Sequence, residues 1–173
     1  MEFKKYNSIE NAYQDDFINL IIDQGYSNIE YVVQEKVHGA NLCFITDGQN
    51  ILSAKRTELI PENEQFFNSK FVQEKYSSKI LNVFREVSEQ FNAKSMSIFG
   101  EIFGGGYPHP DMPKNDSSKL VQRGIYYCPT NDFYAFDILI DNEKYLDVET
   151  ASQLFEKFGF VYAKPLFKGA LIE

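Results

Sequence analysis

Apolar residues near the start of the chain fall at Ile9, Tyr13, Phe17, Leu20 and Ile21, a spacing that gathers them on one face of a helix. Ser8 stands where an N-cap belongs and Gly25 where such a helix ends, so the pattern predicts an amphipathic helix between them. The period then changes. Tyr31 to Glu35 and Leu42 to Thr46 read as strands, and Asp47-Gly48-Gln49-Asn50 is a turn signal before a further strand, Ile51 to Lys55. Phe67, Phe71, Ile80, Leu81, Phe84, Val87 and Phe91 mark a second, longer helix, with Lys70, Glu74, Lys79, Glu86 and Glu89 on its exposed face.

The stretch SMSIFGEIFGGGYPHPD begins as a strand and runs into glycines and prolines, which open a loop near residues 104 to 123. NDFYAFDILI resumes a strand. Strict alternation along it predicts Phe133, Ala135 and Asp137 on one face and Tyr134, Phe136 and Ile138 on the other. Both faces are partly apolar, which marks a central strand. Asp141-Asn142 turns the chain, and Asp147 caps a last helix with Val148, Ala151, Leu154, Phe155 and Phe158 inward, closed by Gly159. Hairpin connections dominate, and the expected class is α+β, a mainly antiparallel sheet with flanking helices. A parallel, doubly wound sheet is the weaker alternative.

The 173 residues suit one domain, residues 1 to 173, with a core of its own. An apolar content of 43%, with 16 Phe and 11 Tyr, excludes a disordered chain and predicts an aromatic interior. A formal charge of −8 argues against a general nucleic-acid footprint, so any such contact must be local. The basic residues Lys55 and Arg56, and Lys114, Lys119 and Arg123, read first as solvated surface. Cys43 and Cys128 lack the spacing of a zinc site or disulfide framework and read as buried thiols. His38 and His109 stand too far apart to suggest a metal site. No apolar run reaches membrane-spanning length, and MEFKKYNSIE has no signal-peptide core, so a cytoplasmic location is expected.

Chemistry gathers around QEKVHGAN, residues 34 to 41. Lys36 follows a strand, where a lysine can simply carry its ammonium to water. Alternatively it is a nucleophile, with His38, Gly39 and Asn41 shaping a nucleotide pocket. A free lysine of pKa about 10.4 is neutral in roughly one molecule per thousand near pH 7.4, so a nucleophilic Lys36 requires burial or cationic neighbours. Glu101 ends an apolar strand beside Gly104 to Gly106, whose backbone can be approached closely. Those glycines lack the lysine and Ser/Thr of a P-loop. Phe136 could stack on a base or sit in the core.

Taken together, Lys36-Val-His-Gly-Ala-Asn41, Arg56, Phe99-Gly-Glu101 and Phe136-Asp137 resemble the covalent nucleotidyltransferase superfamily of ligases and mRNA capping enzymes. KxHGxN in place of KxDG is similar to the RNA ligase 2-like family. The resemblance implies a ligase adenylation (nucleotidyltransferase) fold and ATP and Mg²⁺ as cofactors. Lys36 would attack the α-phosphate to form lysyl-AMP. The backbone of Glu35 would read adenine, Phe136 would stack on it, and Arg56 and Glu101 would hold the ribose. Asn41 would lie near ribose and phosphate, and His38 would serve a later step or orient the loop. The partner would be RNA ends or a nicked duplex, to whose 5′-phosphate AMP passes before a 3′-hydroxyl displaces it.

Two later motifs of that family, a Glu-Gly strand ending in lysine and a Lys-x-Lys strand, do not occur in these residues. The expectation is therefore a C-terminally incomplete catalytic domain of impaired activity, completed by a C-terminal segment or a second chain. Lys164 and Lys168 receive no role, nor does Asp137, and the resemblance identifies no metal ligand. A non-catalytic nucleotide- or RNA-end-binding module descended from a ligase is the alternative. A DNA ligase is less favoured because His38 replaces the aspartate.

Overall fold

The computed structural model describes residues 1–11, 13–112 and 117–170, so Lys114 lies outside the described residues. Two compact units share the chain: a larger one of Met1–Lys5 and Lys36–Ala163, and a smaller one of Tyr6–Glu35 and Lys164–Glu173.

In the smaller unit, helix α1 spans Asp15–Asp23 and strand β1 (Tyr31–Gln34) pairs antiparallel with the C-terminal strand, Pro165–Gly169. The helix begins later than its apolar pattern predicts. Ile9 and Tyr13 are exposed and precede it, while Asp15 and Asp16 occupy the first turn, where carboxylates favour the positive end of the helix dipole. Gly25 ends this region at φ 75°, as expected. β1 does not join the hairpin that follows it in sequence.

The larger unit is built on a six-stranded sheet. Its members are β2 (Ala40–Thr46), β3 (Ile51–Lys55), β4 (Met96–Gly104), β5 (Asn131–Ile140), β6 (Lys144–Tyr145) and β7 (Val161–Tyr162). The order is β3-β2-β4-β5-β6, every one of those neighbours antiparallel, and β7 lies parallel to β5 along its N-terminal half. α2 (Ser69–Phe91) and α3 (Val148–Lys157) pack in the main core with Leu42, Phe44, Ile98, Ile102, Phe133 and Ile138. No helix among the described residues is long and apolar enough to cross a membrane. The α+β class and its mainly antiparallel sheet with flanking helices match the sequence-based expectation.

Local details follow from side-chain chemistry. The Asp47 carboxylate accepts the Gln49 and Asn50 amides at 3.0 and 2.9 Å, which fixes the β2–β3 turn. Asp141 and Asn142 take φ of 50° and 59° in the β5–β6 turn, a conformation these residues tolerate. Asp147 caps α3 by accepting the Thr150 amide at 2.8 Å. The buried stripe of α2 is Val72, Tyr76, Ile80, Val83 and Val87, whereas Phe71, expected inward, is exposed. Tyr76 is admitted to this stripe because its hydroxyl donates to Asp132 at 2.8 Å.

β5 departs from strict alternation. Gly100 pairs with Ala135 but Phe99 pairs with Asp137, which leaves Phe136 as an extra residue, a β-bulge. Phe133, Ala135, Ile138 and Ile140 therefore all join the helix-covered core, while Tyr134 and Phe136 join a small cluster with Val37, Phe103 and Ala163. The bulge exchanges the expected faces of Asp137 and Ile138.

Candidate active site

Directly paired residues of neighbouring strands project to the same side of a sheet. Asn41 of β2 pairs with Glu101 of β4, which pairs with Tyr134 of β5. This row faces away from the helix-covered core, since Leu42, Gly100 and Ala135 beside it belong to the opposite side. Residues 35 to 39 form no strand. They bring Lys36, His38 and Gly39 to a cavity of about 420 Å³, lined also by Asn41, Lys55, Arg56, Phe66 and Glu101.

Gly39 has a steric reason to be glycine. A Cβ there would lie 2.3 Å from the Ile102 carbonyl oxygen and 3.1 Å from the Glu101 Cβ. Backbone on backbone leaves nothing that could swing aside, so only glycine lets the lysine-bearing segment lie this close to β4.

Glu101 is the carboxylate of the described wall. Burial pushes its carboxyl up to about 7, against the opposing pull of the Lys36 and Arg56 cations. Near neutral pH it is poised to act either as acceptor or as donor of a hydrogen bond. Lys55 is held by Glu64 at 2.8 Å and Glu58 at 3.1 Å, and these two partners raise its pKa. Lys36 and Arg56 are therefore the wall cations outside any ion pair among the described residues.

Five of the expected site residues thus meet: Lys36, His38, Asn41, Arg56 and Glu101 line one cavity. Lys36 is exposed. Of the two conditions for a nucleophilic lysine, burial is not met, because the segment carrying it runs along the open side of the sheet. A cationic neighbour, Arg56, is present in the wall. Phe136 lines no part of this cavity and packs half-buried against the cluster containing Val37. Glu35 is exposed and is the last residue of the smaller unit's first segment. Lys168, in the smaller unit, pairs with Glu30 at 3.1 Å. Asp137 lies beside Phe99 in the ladder and contributes to raising the Tyr145 pKa, after burial. Cys43 is buried as expected, and burial pushes its thiol far up, while Cys128 is only half-buried.

Residues that periodicity did not flag also reach the site. Phe66 lines the cavity. Gln122 donates to the Gly39 carbonyl at 2.8 Å, and the Tyr127 hydroxyl accepts the His38 amide at 3.0 Å. Both lie in an irregular stretch, where the sequence offers no period to mark which side chains turn inward.

Known proteins supply independent comparisons. A family model described as RNA ligase matches residues 29–173. RNA-editing ligase 2, mitochondrial, of Trypanosoma brucei brucei is 30% identical over 98% of this chain and 46% of its own length. RNA-editing ligase 1, mitochondrial, of the same organism is 27% identical over 99% of this chain and 43% of its own. The chain thus spans about half the length of the curated relatives it matches. A Naegleria gruberi RNA ligase mutant solved with ATP and Mn superposes with a TM-score of 0.60 at 17% identity, over 90% of this chain and 42% of that one. Another mutant of that ligase, also with ATP and Mn, gives 0.62 at 16% identity over 99% of this chain and 45% of that one. At such identities the structural likeness speaks for the fold. Because the family model spans most of the chain, and the motif residues it contains converge on one cavity, the protein belongs to the RNA ligase family.

Proposed function

We propose that this chain is the adenylyltransferase part of an ATP-dependent RNA ligase, with Lys36 as nucleophile. The observation that carries the reading is the convergence of Lys36, Arg56, Asn41 and Glu101 on one cavity large enough for a nucleotide. The Lys36 amine, once deprotonated, attacks the α-phosphorus of ATP. A nitrogen–phosphorus bond forms, the bond from that phosphorus to the bridging oxygen breaks, pyrophosphate leaves, and one of the two amine protons passes to solvent while the other stays on the phosphoramidate nitrogen. Arg56 and Glu101 hold the ribose and Asn41 lies near ribose and phosphate. The backbone of Glu35 reads adenine, Phe136 stacks on it and His38 orients the segment or serves a later step. AMP then passes to an RNA 5′-phosphate, and a 3′-hydroxyl displaces it to join RNA ends or seal a nicked duplex.

Among the described residues no cluster of three or more His, Cys, Asp or Glu forms a cage for a cation. Mg²⁺ would enter with ATP, since this ion commonly binds through substrate phosphates, and no residue of the chain is assigned to it. When bound it offsets phosphate charge that the acidic chain does not neutralise.

The 173 residues contain neither the Glu-Gly nor the Lys-x-Lys motif. Single preorganised donors are worth about 10²–10³ in rate, so we expect slow self-adenylylation by these residues alone. A segment bearing both motifs, in cis or in trans, would accelerate it and allow sealing. A binding module without catalysis is the second reading, favoured by the exposure of Lys36. Intact-mass measurement after incubation with ATP and Mg²⁺ decides. An AMP adduct on Lys36, absent in Lys36→Ala, supports the ligase reading. Binding of ATP with no adduct, even with the added segment, supports the module. AMP on another lysine rejects the assignment of Lys36.

A further inference from the structure

Residues 36 to 39 belong to no strand, so their backbone groups cannot be satisfied by a sheet ladder and must find other partners. Two of these partners come from more than eighty residues along the chain, in the arm that returns to β5. The His38 amide donates to the Tyr127 hydroxyl at 3.0 Å, and Gln122 Nε2 donates to the Gly39 carbonyl at 2.8 Å. The Tyr127 ring stands edge-on to Phe103 at 5.6 Å and 88°, and Phe103 packs with Val37. The segment is thus held at 37 by its side chain and at 38 and 39 by its backbone.

The arm making these contacts is itself fixed. Asn131, fully buried at the start of β5, accepts the Lys119 amide at 2.9 Å and donates to the Lys119 carbonyl at 2.7 Å. The Val121 amide donates to the Gly104 carbonyl at 3.1 Å. Gly104 and Gly105 have φ of 74° and 87°, and a Cβ on Gly105 would lie 2.1 Å from the Lys119 carbonyl oxygen. These two glycines serve close approach between β4 and the arm rather than a phosphate.

We propose that Gln122 and Tyr127 are positioning residues that hold the Lys36–Gly39 segment against β4, so that Lys36 presents its amine to the nucleotide in one orientation. The inference rests on the adenylyltransferase reading above for its consequence, though not for the clamp itself. Neither side chain touches the reacting atoms. Their effect is on the orientation of Lys36, where small misplacements cost rate rather than affinity.

The test uses the full chain and two variants, Tyr127→Phe, which keeps the ring on Phe103, and Gln122→Met, which keeps length but donates nothing. Three quantities are measured: exchange of the His38 amide by NMR, the urea midpoint, and lysyl-AMP formation as a function of ATP concentration. Exchange at His38 should quicken at least about 10-fold in Tyr127→Phe, with the urea midpoint unchanged. The rate at saturating ATP should fall roughly 10-fold in each variant and up to about 10²-fold in the double variant, while half-saturating ATP moves less than about twofold. A lowered urea midpoint that accounts for the loss, or both kinetic constants moving together, would assign a merely structural role and overturn the proposal. Should the wild-type chain form no adduct even with the added segment, the adenylyltransferase reading fails and exchange alone judges the clamp. An unchanged His38 amide in Tyr127→Phe then overturns it.

Discussion

Glu101→Gln separates the cost of the site from its use. In the folded chain the carboxyl is raised from 4.5 to about 7, first by burial, with Lys36 and Arg56 pulling the other way. A carboxyl raised on folding binds its proton more tightly in the native state. Its contribution to stability is therefore fully present below about 4.5 and is lost as pH rises to about 7. The shift of 7 less 4.5 corresponds to about 3 kcal/mol at 1.36 kcal/mol per unit. The cavity is open to solvent, which screens such a group, so roughly 1–2 kcal/mol is the working figure. Glutamine keeps the shape and never ionises. Glu101→Gln should match the wild type near pH 4.5 and exceed it by about 1–2 kcal/mol at pH 8, with the gap opening across that window. Urea unfolding of both proteins at half-unit pH steps reads it, because titrating groups that do not interact with Glu101 cancel in the difference. In the same variant ATP affinity should fall at pH 8, where the wild type offers a carboxylate to the ribose. A stability gap that is flat with pH, or that closes as pH rises, would refute the argument that burial dominates at Glu101.

Two further outcomes bear on neighbouring residues. Phe136→Ala should weaken ATP binding roughly 5- to 150-fold, the equivalent of about 1–3 kcal/mol of stacking, measured by calorimetry; a variant that unfolds while Phe136→Leu binds ATP normally would place Phe136 in the core alone. Gly39→Ala puts a methyl 2.3 Å from the Ile102 carbonyl oxygen and should cost about 1–3 kcal/mol in urea unfolding. Its adenylylation should fall as well, whereas wild-type stability and rate would mean that the segment can lift away freely.

What the sequence made legible follows the reach of local rules. The hairpin at Asp47 to Asn50, the Asp147 cap and the Gly25 and Gly159 stops are set by residues within a turn of one another, and all appear as expected. The inward stripe of α2 was harder. Phe71 and Tyr76 are both aromatic, and the partners that receive Tyr76, the Asp132 carboxylate and the Phe133 and Phe160 rings, lie more than fifty residues away along the chain. The start of α1 is not legible from spacing, because Ile9 and Tyr13 keep the helical period while both side chains are exposed. At the site, motif residues on strands were legible by type and order. Gln122 and Tyr127 were not, because they act through the backbone of a segment distant in sequence, and hydrogen bonds to backbone leave no mark on the partner's identity.

The extra residue in β5 has a meaning for how this strand tolerates change. Excising Phe136 would leave Gly100 opposite Ala135 and Phe99 opposite Asp137, the same partners in an uninterrupted ladder. Every other side chain would keep its face, since the alternation of Ala135, Asp137 and Ile138 becomes regular once the insertion is gone. The hydrogen-bonded ladder is thus indifferent to Phe136. What an excision there would lose is the half-buried packing of the Phe136 ring on the cluster of Val37, Phe103, Tyr134 and Ala163, a cost borne by side chains and not by the pairing of strands.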